Sequence, residues 1–310
     1  MQLIEPVPYH IGGEEYRATD VHNILKRRGG VLPVAGNTLL SVPDYLQGPS
    51  LSAFQDCFAP LRAFTSVWDP QPYSPRSKSI LKYIARGSAT LVDETANFQQ
   101  GGSEVAPIEC AVSHYSQPWP LSNADLHSGL RQADLFFANA QELAKTLMAK
   151  FTTLLTVANF PAAPVTALPA AFNLSDAARA YGAIKGFKSL VLDADYFASL
   201  SHGSPRGFQS GEAVHGWQGI HEQSSGWASA GPKVRGVALA KPAIILVTGY
   251  LEAVLASNIE RTLIGLPGMD LAIELNSWFA QGTRTAWRSL DCIFGVAKGD
   301  GNAAVLVKEP

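Results

Sequence analysis

Residues 122–161 read SNADLHSGLRQADLFFANAQELAKTLMAKFTTLLTVANFP. Leu126, Leu130, Ala133, Phe137, Ala140, Ala144, Leu147, Phe151, Leu154 and Ala158 recur alternately four and three residues apart, the spacing that stacks side chains on one face of an α-helix. The spacing predicts a single long amphipathic helix. Pro120 and Ser122 precede it, Asp125 follows Ser122 by three residues as in a capping box, and Pro161 closes it. Such a helix runs roughly 50 Å at about 1.5 Å per residue, with Gly129 as the place where its first turns would bend. Leu135, Phe136, Leu143, Met148 and Leu155 widen the stripe beyond a coiled-coil seam, so packing on a sheet or on several helices is expected.

Upstream, residues 88–111 alternate loosely, turn polar through Asp93, Glu94, Asn97, Gln99, Gln100, Gly101, Gly102, Ser103 and Glu104, and resume with Val105, Ile108 and Val112. This predicts a long β-hairpin with a glycine tip. No Lys or Arg lies between Gly87 and Pro118, whereas Arg76, Lys78, Lys82 and Arg86 crowd the approach. The acidic loop (Asp93, Glu94, Gln99, Gln100, Glu104) and its basic root (Arg76, Lys78, Lys82, Arg86) are expected to meet across neighbouring subunits. Further upstream, residues 1–76 hold Pro6, Pro8, Pro33, Pro43, Pro49, Pro60, Pro70, Pro72 and Pro75 among scattered Val31, Leu39, Leu40, Leu46, Phe54, Phe58, Phe64 and Trp68. So many breakers prevent long regular elements, and the composition fits an extended arm lying on something else.

Downstream of a proline-rich link at 161–169, the pattern predicts a short helix over 175–184, a buried strand at 189–192, a helical turn near 196–200 and a buried strand at 243–247. Inside this small α/β unit, residues 201–231 are dominated by Gly, Ser, His and Trp, too long for a mere connector, and are expected to form a mobile or interface-forming loop. The tail alternates at Leu271, Ile273 and Leu275, turns at Gln281-Gly282, and predicts a strand over 287–296, a turn at 299–302 and a last strand at 303–307, three antiparallel strands in all.

The 310 residues carry 24 Lys plus Arg against 26 Asp plus Glu and 46% hydrophobic residues. That is a globular chain with a real core, and the balanced charge excludes a generally basic nucleic-acid binder, so any DNA contact must be local. Cys57, Cys110 and Cys292 form no CxxC pair and read as reduced intracellular thiols rather than a disulfide framework or zinc site. No apolar run reaches a membrane span and no export signal is seen, so a soluble chain without membrane partners is expected. His202, His215 and His221 share one loop but lack a carboxylate or cysteine at zinc-like spacing, so no metal is expected. Asp193 and Asp195 after a buried strand are explained more simply by helix capping than by magnesium. Residues 295–301 with Lys298 lack the order of a phosphate loop and read as a hairpin turn, and no GxSxG, HExxH or GxGxxG occurs. Neither catalytic residues nor a cofactor is expected. The sequon at Asn173 reads as unused. Lys26, Arg27 and Arg28 form the densest basic run, equally a solvated turn or a contact to DNA phosphates.

The serial order of irregular arm, acidic hairpin, long helix, small α/β unit and returning strands is that of an α+β protein, and it resembles the Hong Kong 97-type fold of tailed-bacteriophage major capsid proteins. There the same parts are the N-terminal arm, extended β-hairpin loop, spine helix, axial α/β domain and peripheral-domain antiparallel sheet. The stretch KSLVLDADYFASL at 188–200 resembles an axial-domain strand and helix, VRGVALAKPAI at 234–244 the strand after the loop, and 292–306 the closing hairpin. On that resemblance the chain divides into an arm (1–76), extended loop and root (77–119), peripheral domain with spine helix (120–164), axial domain (165–262) and peripheral strands (263–310).

The resemblance implies a structural coat protein, self-assembling as pentamers and hexamers into an icosahedral shell around double-stranded DNA. It would form the virion capsid, assembled in the host cytoplasm. It implies a portal, a decoration protein in some shells, and Lys26, Arg27 and Arg28 as DNA-facing candidates touching DNA non-specifically. It also implies that the loop carrying His202, Arg206, His215, Trp217 and His221 points to the capsomer centre. Some family members cross-link an extended-loop lysine to a neighbour's asparagine; with no lysine between Gly87 and Pro118, a non-covalent shell is expected. An arm starting almost at Met1 implies a separate scaffolding protein and little processing. The rival readings are an encapsulin-like nanocompartment shell, told apart by its cargo, an α/β hydrolase-like or nucleotide enzyme built on 165–260, and a β-rich tail or decoration protein, which the long helix disfavours.

Overall fold

The computed structural model of the chain describes residues 9–11, 14–16, 31–34, 49–68, 78–84, 105–122, 129–249, 259–266, 271–280, 282 and 285–310. The first half contributes β1 (Tyr9–Ile11), β2 (Glu14–Tyr16), β3 (Val31–Val34), α1 (Pro49–Asp56), β4 (Thr65–Trp68), β5 (Lys78–Ile84), β6 (Val105–Ala111), β7 (Ser113–Leu121) and α2 (Gly129–Thr152). There follow β8 (Val165–Thr166), α3 (Leu174–Gly182), β9 (Lys188–Leu192), α4 (Ala194–His202), β10 (Gly219–Glu222), β11 (Val234–Ala240) and β12 (Ile244–Gly249). The last strands are β13 (Ile259–Gly265), β14 (Ala272–Ala280), β15 (Thr285–Lys298) and β16 (Ala304–Lys308). The result is a mixed α/β protein with largely antiparallel sheets.

Two sheets carry the fold. One has seven strands, β3-β13-β14-β15-β12-β4 with β7 added on β15; only the β12/β4 contact is parallel. The other has five, β10-β9-β11-β16-β8, parallel at its two outer contacts. β9 is buried at every position, Lys188 and Ser189 included, as a central strand covered on both faces requires. Along β15, Glu274–Asp291 and neighbouring pairs hold β14, residues 293–298 hold β12, and residues 286–294 hold β7. At Ile293 and Phe294 the strand is therefore paired on both edges, with Gly249 and Thr248 and with His114 and Ser113.

The long helix exists but is shorter than its apolar stripe. α2 spans 24 residues, about 36 Å, and ends at Thr152, eight residues before Phe160. Thr152 donates its hydroxyl to the carbonyls of Ala149 and Gly226, and Asn159 donates its side-chain amide to the carbonyl of Leu154, so the chain beyond the helix closes in tight turns. Leu155 and Phe160 remain fully buried in the same core. The stripe persists because burial continues after the helical hydrogen bonds stop. Pro120 lies in strand β7 and Ser122 directly after it; Asp125, and with it the expected capping box, lies outside the described residues.

The arm is in part this chain's own core. Phe54, Phe58, Leu61 and Phe64 are buried, with the Phe54 ring 5.0 Å from that of Phe136 and Phe64 4.7 Å from Phe151. β3 joins β13 and β4 joins β12. Residues 49–68 therefore lie on α2 and on both sheets of the same molecule, residues 59–63 meeting β9 and β10.

Two further expectations are corrected. β16 does not fold back on β15: it pairs with β11 and β8, because Gly299 and Asp300 donate their amides to the carbonyls of Ala243 and Pro242 and steer the chain across to the five-stranded sheet. The turn at 299–302 is thus a crossover rather than a hairpin. β12, for its part, lies in the seven-stranded sheet rather than beside β9. Helix capping by Asp193 is as expected, its carboxylate accepting from the Asp195 amide; Asn173 and Asp176 form a reciprocal capping box on α3.

Candidate assembly surfaces

The hairpin stands on a rigid base. β5 and β6 pair from Lys78 opposite Ala111 to Ile84 opposite Val105, so the pairing already begins at 78, and the expected strand from 88 lies outside the described residues. Lys78 and Lys82 belong to the strand itself; their charges had marked it as a root. β6 passes through Val112 directly into β7, and Cys110 is buried with Val247 and Ala297. The crossing of β6 over β15 is close: a Cβ on Gly295 would stand 2.6 Å from the Ala111 carbonyl oxygen and 2.9 Å from Cys110 Sγ. Arg76, Arg86, Asp93, Glu94, Gln99, Gln100 and Glu104 lie outside the described residues, as do Lys26, Arg27 and Arg28.

Residues 201–231 are built into the five-stranded sheet instead of forming an open loop. Within them β10 runs parallel to β9, Trp217 packs edge-on against Tyr181 with centroids 5.0 Å apart, and Trp227 donates its indole N–H to the Gln223 carbonyl. His202, Arg206 and His215 are exposed, and the His215 imidazole lies 3.1 Å from the Ser204 hydroxyl. Trp217 and His221 are buried. A Cβ on Gly219 would stand 2.7 Å from His221 Nε2, so the imidazole occupies space that only glycine leaves. Burial, with a smaller contribution from Arg62, lowers the His221 pKa to about 4, keeping it neutral at pH 7. The three histidines do not converge, and no group of three metal-ligating side chains occurs among the described residues.

A second polar group lies within the seven-stranded sheet. Arg261 on β13 pairs with Glu274 on β14. Asp291 on β15 accepts from Ser289 at 2.6 Å, from Asn276 and, at 3.3 Å, from His114 on β7. Burial pushes the Asp291 carboxyl up, but hydrogen bonds from His114, Ser116, Ser289 and Asn276 outweigh it and hold the pKa below the usual range. The sequence offered no signal for this network, which exists only through strand register. It ties four strands together, with Glu274 and Asp291 buried and His114 at the surface.

Two cavities are lined by described residues. One of about 380 Å³ lies between α1, α2 and the segment after β10, lined by Asp56, Cys57, Gln141, Lys145, Glu222 and Ser224 among others. Burial and the Asp56 charge push the Cys57 thiol up, away from a reactive thiolate, and burial alone pushes Cys110 up to about 11. A second, of about 290 Å³, sits at one end of the seven-stranded sheet among Trp278, Trp287, Phe279, Arg288 and Glu260.

No family model and no curated protein matches the chain. Solved structures do. The capsid of an empty GTA particle, computed with C5 symmetry, superposes with a TM-score of 0.50 at 11% identity, over 89% of this chain and 95% of that one. The chain has the fold of a tailed-phage major capsid protein. The structure of Gordonia phage Cozz is also similar, with a TM-score of 0.47 at 14% identity over 82% of this chain and 86% of that one. Within the capsid fold, the low identity is what a shared backbone plan with independently drifted side chains produces.

Proposed function

We propose that this chain is the major capsid protein of a tailed phage, a structural shell protein and not an enzyme. The observation that carries the reading is the capsid fold spanning 89% of the chain. The physical design supports it: the β5–β6 hairpin crosses tightly over β15 at Gly295, and a shell multiplies the contacts of each copy by symmetry.

In this reading the five-stranded sheet with α3 and α4 is the axial domain. The seven-stranded sheet with α2 is the peripheral domain, residues 1–76 the arm, and 77–119 the extended loop and its root. The sequence boundaries 165–262 and 263–310 then exchange two strands, β12 and β16. Axial domains cluster as pentamers and hexamers, with the exposed His202, Arg206 and His215 toward the capsomer centre and Trp217 and His221 as its packing support. The shell encloses double-stranded DNA, assembles in the host cytoplasm with a scaffolding protein and portal, takes decoration protein where one exists, and becomes the virion capsid.

The test is negative-stain electron microscopy with light scattering on the purified protein, alone and co-expressed with its scaffold. Closed polyhedra, rings or tubes are expected. A monomer or dimer at high concentration with scaffold present would overturn the reading.

A further inference from the structure

Residues 57–64 join the two sheets. Phe64 leads directly into β4 of the seven-stranded sheet, whereas the short 3₁₀ turn Ala59–Ala63 rests on β9 and β10 of the five-stranded one. Among the described residues, side chains alone hold the turn there. Its backbone bonds stay local, Leu61 and Phe64 donating to the carbonyls of Phe58 and Leu61, and buried Pro60, Leu61 and Ala63 provide the packing.

The polar groups at this contact are unmatched. Arg62 Nε and His221 Nδ1 are both buried without a hydrogen-bond partner, and Arg62 makes no ion pair among the described residues. On the elements around the imidazole, Glu212 accepts from the Gln209 amide, Lys188 donates to the Tyr181 carbonyl, Lys145 pairs with Glu142, and Asp56 and Glu222 line the neighbouring cavity. His202 is exposed at the end of α4. Of these charges and that of Arg62, only Arg62 acts on His221. The ring is seated on two glycines: a Cβ on Gly219 would stand 2.7 Å from its Nε2, and one on Gly211 3.8 Å from its Nδ1. β10 is itself fixed on both edges, to β9 and, through Ile220, to Gly211 and Glu212. Residues 59–63 are therefore the side of the contact that can give.

We propose that this contact is an acid-sensitive latch: a proton on His221 sets a second positive charge beside Arg62 in a buried site, and residues 59–63 leave β9 and β10. Burial strips the new charge of its hydration, and the like charge adds repulsion. α1 stays in place, because Phe54 packs 5.0 Å from Phe136 and Gln55 donates to the Gly265 carbonyl at 2.9 Å. Every group in the latch belongs to one chain, so it goes beyond the shell reading and does not depend on it.

The test is hydrogen exchange of the unassembled full-length chain at pH 7 and pH 4.5, corrected for the intrinsic rate at each pH. An imidazole with a pKa of about 4 when buried and an ordinary 6.5 when released shifts the opening equilibrium roughly fiftyfold between those conditions. Protection of the Leu61 and Phe64 amides should fall by that factor, while α2 over 136–151 stays the better protected at both pH values. His221→Gln should flatten the fall to within about twofold, and Arg62→Gln should lessen it without removing it, because burial is the larger cause. Protection of 58–64 that does not change with pH in the natural chain would overturn the latch. So would equal protection of 58–64 and α2, which means that the segment opens only with the whole molecule. An undiminished fall in His221→Gln would assign the titration to another group and overturn it as well.

Discussion

Gly295 on β15 lies beneath Ala111 at the end of β6, so close that a methyl group on Gly295 would overlap the Ala111 carbonyl oxygen. This contact sets where the hairpin leaves the body, and it makes the hairpin's direction a property of the sheet.

Gly295→Ala should therefore lift β6 from β15. Backbone cannot yield as the tip of a side chain can, and a loss of roughly 1–3 kcal/mol in denaturant unfolding is expected, as for other overpacked sites. Particle assembly should fall further than stability alone explains. Unchanged stability and assembly would show that the root is not clamped there.

Phe54→Ala should behave as a core mutation although Phe54 belongs to the proline-rich first part of the chain. Its ring is fully buried against Phe58 and Phe136, and removing it should cost about 3–5 kcal/mol in the unassembled protein. If residues 49–64 instead belonged to contacts between copies, the loss would appear in assembly and not in unfolding of the unassembled protein.

His221 should make stability depend on pH. With a folded-state pKa of about 4 against an ordinary 6.5, the unfolded chain holds the extra proton between those values. Stability is then fully present above pH 6.5 and declines as pH falls toward 4, by roughly 3 kcal/mol in total. Comparing unfolding of wild type and His221→Gln at pH 7 and pH 4.5 checks it: the variant should lose most of this slope. Equal slopes would mean that another group dominates. Asp291 acts lower: its depressed pKa contributes stability above the ordinary carboxylate range that is lost as pH falls below it.

Mature particles should dissolve to single chains on denaturing gels, since no lysine lies between Gly87 and Pro118 to supply an extended-loop cross-link. Covalent ladders would contradict this.

Local chemistry determined much of this on its own. The four-and-three spacing around Phe137 to Phe151 favours a helix, the short run ending in Leu190, Val191 and Leu192 fits a covered strand, and Asp193 and Asn173 cap helices through bonds to amides two or three residues away. Proline density alone predicted short elements in residues 1–76, and those among the described residues run from three to eight residues. What required the tertiary structure were the decisions made by distant partners. Leu155 and Phe160 continue the helical stripe, yet Thr152 and Asn159 bond elsewhere and end the helix early. Residues 201–231 look like loop by composition, but β9 supplies the edge that turns 219–222 into a strand. β16 reads as the partner of β15 until the amides of Gly299 and Asp300 tie it to the carbonyls before β12. The residues 78–84 carry the charges of a solvated approach, and only pairing with 105–111 makes them a strand. Helix periodicity and capping act within one or two turns of chain and are written locally. Strand partners, register and sheet membership depend on which backbone edges meet, which residue spacing does not encode.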